Sequence, residues 1–268
     1  SSGSSLHQVT GYFERIWSSE ACTAFPARGR EEENQQERQR LEEHGASLRA
    51  SRPELFAADN HWMDATVPTN RVTLISGDTG IGGKAPVVWF QLQQLMESAQ
   101  ERVIFQTPYA VCSQEMLDGL RRLAQSGLDC RLLLNARENG DNVVASSDYT
   151  WRRGGIWDTG VTVYEYAGGT SSHGKSILID SRLSIIGSYN LDLRSTYVDT
   201  ELMVAVDSVE LGRQLEGHLT SMMDDAWLVT ADGSYQKPGH LTLEEAGFGK
   251  ELLWRLLGLV LQPFRVLV

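Results

Sequence analysis

Cysteine is scarce in this chain. There are three in 268 residues, Cys22, Cys112 and Cys130, odd in number and scattered. No CxxC occurs, so neither a disulfide framework nor a zinc site is implied, and each reads as a small packing residue. Basic charge is also short: 24 Lys and Arg stand against 35 Asp and Glu, for a net charge of −11. A general nucleic-acid binder needs a basic patch or stripe, so nucleic acid is not an expected partner, although a local basic pocket for a phosphate stays compatible. No uninterrupted run of 18 apolar residues exists, and no transmembrane helix is expected. No N-terminal signal peptide is expected either; "SSGSS" reads as a linker and is set aside. What is present is the composition of a globular protein, 41% hydrophobic and 22% charged, long enough for one large domain or two small ones.

The pattern along the chain divides it into four parts. Residues 1–29 read as the end of a preceding unit plus a linker, with a helix-like "GYFERIWSSE". Residues 30–69 form a connector opened by the charge-rich helical stretch "REEENQQERQRLEEHGASLRAS", which lacks a wide apolar stripe. From residue 70 to 235 apolar strand-like runs ("RVTLIS", "RVIFQTPYA", "DCRLLLNA", "VTVYEY", "SILI", "LSIIGS", "TELMVAVDS") alternate with helical patterns such as "VVWFQLQQLMESA" and "SQEMLDGLRRLAQSG", which predicts an α/β sandwich. Residues 236–268 end in "LLWRLLGLVLQPFRVLV", apolar almost all round, with Trp254, Arg255, Phe264 and Arg265 interspersed. This tail either packs on the domain or lies in a membrane interface. The Gly-rich "GDTGIGGKAP" resembles a phosphate loop only superficially, because Lys84 is followed by Ala and the glycine spacing is wrong.

The stretch "SSHGKSILIDSRLSIIGSYNLDLRS", residues 171–195, sets polar residues among apolar strands. Alternation puts His173 and Lys175 on one strand face. A two-residue hairpin loop at Ser181-Arg182 pairs His173 with Asn190 and Lys175 with Ser188. Gly187 lets something approach the backbone closely. An imidazole, an ammonium, an amide and a hydroxyl then converge, a set suited to a phosphate, with Lys as point charge, Asn and Ser as donors and His as nucleophile or acid/base. Asp180, at the turn, reads as structural.

The spacing His173-x-Lys175, four residues, Asp180, six residues, Gly187-Ser188-x-Asn190 resembles the HKD motif of the phospholipase D superfamily position for position. The following "NLDLRSTYVDTELMV", with "VTVYEY", "PYAV" and the charged connector, resembles the C-terminal half of the cardiolipin synthase branch. Asp199 departs from that branch, which commonly has Asn there. The resemblance implies a phospholipase D-like mixed β-sheet flanked by helices, one repeat of a normally two-repeat fold. It implies phosphatidyl transfer from one phospholipid to another through a phosphohistidine, with no cofactor and no metal. His173, Lys175, Asn190 and Glu201 are the implied catalytic residues. Lys175, Ser188 and Asn190 hold the phosphate, Asp180 and Gly187 are structural, and Glu201 orients the histidine.

Such chemistry needs two histidines. The chain has six, His7, His44, His61, His173, His218 and His240, and only His173 has Lys two residues on. The second half-site therefore has to come from a missing N-terminal half or a second subunit. "FERIW" (13–17) echoes "MDDAW" (223–227), which favours a missing first repeat. The expected partners are a phospholipid substrate and a membrane surface, and the expected place is the bacterial inner membrane, peripheral or on its cytoplasmic face. The alternatives are a homodimeric phosphodiesterase of the nuclease type and a non-catalytic phospholipid-binding fragment.

Overall fold

The computed structural model describes residues 2–24, 31–56 and 62–267. They fall into two compact units, Trp17–Val67 and a larger one joining Ser1–Ile16 to Pro68–Val268. The smaller unit holds α2 (Glu31–Ser51), a helix without an apolar stripe, and two short 3-10 turns, Pro53–Phe56 and Trp62–Ala65. In the larger unit, α1 (Ser2–Trp17) lies along β1 (Arg71–Ser76): Ser5 Oγ donates to the Val72 carbonyl (2.8 Å), and Leu74 N–H donates to Gln8 Oε1 (3.3 Å). Trp17 is exposed whereas Trp227 is buried in a strand, so the two tryptophans of the "FERIW" and "MDDAW" echo occupy different settings.

The described strands of the larger unit form one nine-stranded mixed sheet, β1-β7-β6-β5-β2-β3-β4-β8-β9. Its centre is parallel: β2 (Arg102–Gln106), β3 (Asp129–Asn135) and β4 (Thr162–Tyr166). Parallel neighbours need crossovers, which α4 (Gln114–Gln125) and α5 (Val143–Trp157) provide. These strands are apolar on both sides because both faces are covered. On one face, Phe105, Leu132 and Ile177 pack with Trp89, Leu92 and Met96 of α3 (Val87–Glu97) and with Met116 and Leu120 of α4. On the other, Ile104, Leu133 and Leu178 pack with Leu219, Met222 and Met223 of α7 (Val209–Asp224).

Antiparallel strands complete the sheet. β5 (Ser176–Ile179), β6 (Leu183–Gly187) and β7 (Leu202–Asp207) follow one another on one side, with α6 (Leu193–Tyr197) between the last two. β8 (Ala226–Val229) and β9 (Tyr235–Gln236) close the other. The β5–β6 register differs from expectation by one residue: Ser176 faces Ile186 and Ile179 faces Leu183. The loop is three residues long, because Asp180 and Ser181 both take left-handed backbone (φ 51° and 59°). Asp can do so more easily than most residues.

The C-terminal segment is folded. α8 (Phe248–Val260) lies on α5, and the 3-10 turn that follows it (Gln262–Leu267) lies against α6. Gly258 lets the helices meet, since a Cβ there would strike the Ser147 carbonyl oxygen and lie 2.8 Å from Trp151 Cβ. Buried Arg137 pairs with Glu251, and Arg265 reaches Asp148 at 2.7 Å. The outward side of the segment, including Phe248, Leu252, Leu256, Val260 and Phe264, stays exposed.

Candidate active site

The parallel strands β2 and β3 end in Gln106 and Asn135, and β5 starts opposite Gln106. His173 lies just before β5, in a segment without regular secondary structure, at the carboxyl end of the parallel strands, where open α/β sheets place their sites. Buried side-chain amides hold this segment. Asn135 Nδ2 donates to the Ser172 carbonyl (2.8 Å) and to the Pro108 carbonyl (3.0 Å), while Ser172 N–H donates to Asn135 Oδ1 (2.8 Å). Gln106 Oε1 accepts from Ser176 Oγ (2.8 Å), and Asn139 Nδ2 donates to the Thr170 carbonyl (3.3 Å). None of these amides stands out in the sequence, because Gln106 and Asn135 lie at the ends of apolar strands and Asn139 lies in a polar loop.

His173 is exposed and Lys175 is 9% exposed. Lys175 Nζ donates to the His173 carbonyl (2.8 Å) and sits 3.1 Å from His173 Nδ1. An ammonium can only donate, so this contact is a hydrogen bond in the tautomer whose Nδ1 is the bare nitrogen. Burial lowers the Lys175 pKa, opposed by the charges of Glu201, Asp192 and Asp141.

His173, Lys175, Gly187, Ser188, Asn190 and Glu201 line one open cavity of about 660 Å³. They are brought together by the ends of the strands rather than by facing positions within them. With the observed register, Lys175 lies opposite Gly187, whose N–H donates to the Lys175 carbonyl (3.2 Å). Gly187 serves the sheet: a Cβ there would collide with the Leu202 carbonyl oxygen on β7.

Glu201 is 5% exposed. Its carboxylate accepts from Ser188 Oγ and from Ser195 Oγ (2.6 Å). Burial raises its pKa against those two bonds. The sequence reading has Glu201 orienting the histidine, whereas here Lys175 occupies His173 Nδ1 and Glu201 tethers the chain on either side of Asn190. Ser188 likewise gives its single hydroxyl hydrogen to Glu201, so it is not a free donor to the cavity. Asn190 N–H donates to Ser195 Oγ (3.2 Å), and Asn190 Oδ1 is buried without a partner among the described residues. Asp180 lies at the hairpin turn, where its carboxylate accepts from the backbone N–H groups of Gln100, Glu101 and Arg102 (2.9–3.0 Å). Among the described residues no group of three or more His, Cys, Asp or Glu could hold a metal ion.

Arg194, Asp199 and Thr200 complete the cavity lining. Arg194 pairs with Asp199 at 2.9 Å. A second cavity of about 200 Å³ shares Asn190, Arg194 and Asp199 with the first and reaches Val144 and Leu267 at the folded C-terminal segment.

The family model described as cardiolipin synthase, phospholipase D-like domain matches residues 92–223. These residues form a phospholipase D-like domain of the cardiolipin synthase type. The match spans α3 to α7 and includes His173, Lys175, Asn190 and Glu201. Cardiolipin synthase A of Citrobacter koseri is 34% identical over 128 residues, covering 48% of this chain and 25% of that protein. Cardiolipin synthase A of Yersinia pseudotuberculosis is 31% identical over 137 residues, covering 51% and 28%. The chain thus aligns with about a quarter of the length of these relatives. The phospholipase D-like fold is also that of the phosphatidylserine synthase of Haemophilus influenzae, with a TM-score of 0.53 at 14% identity, over 74% of this chain and 48% of that one.

Proposed function

We propose that this chain contributes one half-site to phosphatidyl transfer between phospholipids, forming cardiolipin from phosphatidylglycerol and a second phospholipid. The observation that carries this reading is the pairing of Lys175 Nζ with His173 Nδ1 in a cavity shared with Asn190, within a domain of the cardiolipin synthase type. A phosphate entering the cavity competes for Lys175 Nζ and draws it from the ring, since a charge-assisted bond to phosphate is stronger than one to a neutral nitrogen.

The second half-site is supplied by other polypeptide, either further N-terminal sequence or a second subunit. One histidine attacks phosphorus: its N–P bond forms as the P–O bond to the leaving alcohol breaks. The other histidine protonates that alcohol, then takes the proton of the incoming alcohol as the new P–O bond forms and N–P breaks. Lys175 and Asn190 hold the phosphate oxygens, and Glu201 keeps Asn190 in place through Ser188 and Ser195.

The lipid surface is the bacterial inner membrane, met peripherally or at its cytoplasmic face. No helix among the described residues is long and apolar enough to cross a membrane. The exposed apolar side of α8 and the turn after it suits contact with such a surface, and Leu267 connects it to the cavity beside Asn190.

The test is incubation of the chain with phosphatidylglycerol vesicles. Lipid products are read by mass spectrometry, and oligomeric state by light scattering on the same sample. With both half-sites present, in a dimer of this chain or in a version extended upstream, cardiolipin formed by wild type and abolished by His173→Ala is the expected result. Hydrolysis without transfer by a dimer points to the phosphodiesterase reading. Phosphate affinity without turnover points to a binding fragment.

A further inference from the structure

The chain has only four lysines. Lys237 pairs with Glu245 (2.7 Å), and Lys250 lies over the Trp254 ring (4.6 Å). Among the described residues, neither Lys84 nor Lys175 has a carboxylate partner. Lys175 stands at the base of the cavity. Lys84 Nζ donates to Thr200 Oγ1 (2.6 Å), and Thr200 is part of the lining of that same cavity.

Lys84 is held there. Its N–H donates to the Tyr197 carbonyl (2.7 Å), and Gly77 N–H donates to the Glu201 carbonyl (3.3 Å). The Gly-rich loop 77–84 is therefore fastened at both ends to the segment that carries Glu201. Between the fastenings Asp78 closes a turn onto Gly80 N–H (3.0 Å), and Ile81 is 86% exposed. At the same rim Arg194 and Asp199 neutralise each other, whereas Lys84, like Lys175, has no carboxylate partner among the described residues.

We infer that Lys84 forms a second anion subsite, which takes the phosphate of the acceptor lipid. This rests on the reading of the His173 cavity given above. An acceptor that is itself a phospholipid brings its own phosphate into the cavity, separated from the attacking hydroxyl only by its glycerol carbons. A cavity of about 660 Å³ is far larger than one phosphate needs. Lys175 holds the phosphorus under attack, and Lys84 exchanges its bond to neutral Thr200 for a charge-assisted one to the acceptor. The subsite selects alcohols that carry a phosphate over neutral alcohols and water.

Titration with glycerol 1-phosphate and glycerol 1,3-bisphosphate tests this without turnover. Wild type should bind the bisphosphate at least about tenfold more tightly, the scale of one charge-assisted bond. In Lys84→Ala that ratio should fall to about one. It should persist in Lys237→Ala, which removes the same charge elsewhere. The Thr200 amide resonance should shift with the bisphosphate and not with the monophosphate. A wild-type ratio near one, or an equal ratio in Lys84→Ala, overturns the second subsite. Monophosphate affinity indifferent to Lys175→Ala would instead overturn the first site, so the two failures are distinguishable.

Discussion

Asn135 grips Ser172 from both sides, donating to its carbonyl and accepting from its N–H, each at 2.8 Å. The residue after Ser172 is His173. A side-chain amide at the end of β3 thus does for this segment what a neighbouring strand would do, and it fixes the backbone from which the imidazole projects.

Asn135→Leu removes these bonds from the Ser172 N–H and carbonyl, while the Pro108 carbonyl keeps its bond from the backbone N–H of residue 135 (3.1 Å). A loss of about 1–3 kcal/mol in unfolding free energy is expected. The His173 ring resonances should broaden or multiply, and turnover should drop at least tenfold. Asn135→Asp should do similar harm, because it turns a donor into an acceptor facing two carbonyls. Wild-type His173 spectra in Asn135→Leu would count against the amide as a positioning residue.

Glu165 is fully buried on β4, and it accepts from Tyr149 Oη (2.7 Å) and Tyr235 Oη (3.1 Å). Burial pushes its pKa up to about 7, against the Tyr149 bond and the Arg153 charge. The folded state therefore keeps a proton that the unfolded state releases near pH 4.5. Stability falls as pH rises from there to about 7, and the deficit is constant above. Glu165→Gln lacks this titration. Its melting temperature relative to wild type should climb between pH 4.5 and 7 and then level off. A pH-independent difference would contradict the assignment.

Asp180 ties the β5–β6 turn to the start of β2. Burial works to raise its pKa, but the bonds from Arg102, Gln100 and Glu101 outweigh that and hold it below the usual range. Its contribution is present at neutral pH and is lost as pH falls through the lowered value. Asp180→Asn should cost about 1–2 kcal/mol at pH 7 and progressively less below pH 4, as measured by denaturant unfolding. Phosphate affinity should be retained, because the carboxylate faces the turn and not the cavity.

Leu252 and Leu256 lie on the exposed side of α8. Leu252→Glu/Leu256→Glu should leave the melting temperature within a few degrees of wild type and reduce co-sedimentation with phosphatidylglycerol vesicles several-fold. Undiminished co-sedimentation would place the membrane contact elsewhere.

Much of this architecture is legible in the sequence. The apolar runs from "RVTLIS" to "TELMVAVDS" are strands β1 to β7, because a sheet covered on both faces leaves continuous apolar stretches. The residues that the motif spacing groups, His173, Lys175 and Asn190, line one cavity. The register was less legible, since nothing in "DSR" announces that Asp180 and Ser181 both turn left-handed. The holding amides of Asn135 and Gln106 were hidden too, because their partners come from segments about 37 and 70 residues away. Spacing singles out Glu201, but its bonds to Ser188 and Ser195 depend on how the chain bends around Asn190. Lys84 sat in a loop that fails the phosphate-loop pattern, and only the folded chain brings it to Thr200.

The Arg137–Glu251 and Asp148–Arg265 contacts bear on where this protein can be cut. A version ending at residue 249 would strand the buried Asp148 carboxylate without Arg265 and leave Arg137 with Glu138 alone. Breaking one buried pair costs about 3–5 kcal/mol, against total stabilities of about 5–15 kcal/mol for ordinary domains. Such a truncation would cripple folding before it revealed anything about lipid. The helix whose apolar side is exposed is, on its other side, a fastener of the fold.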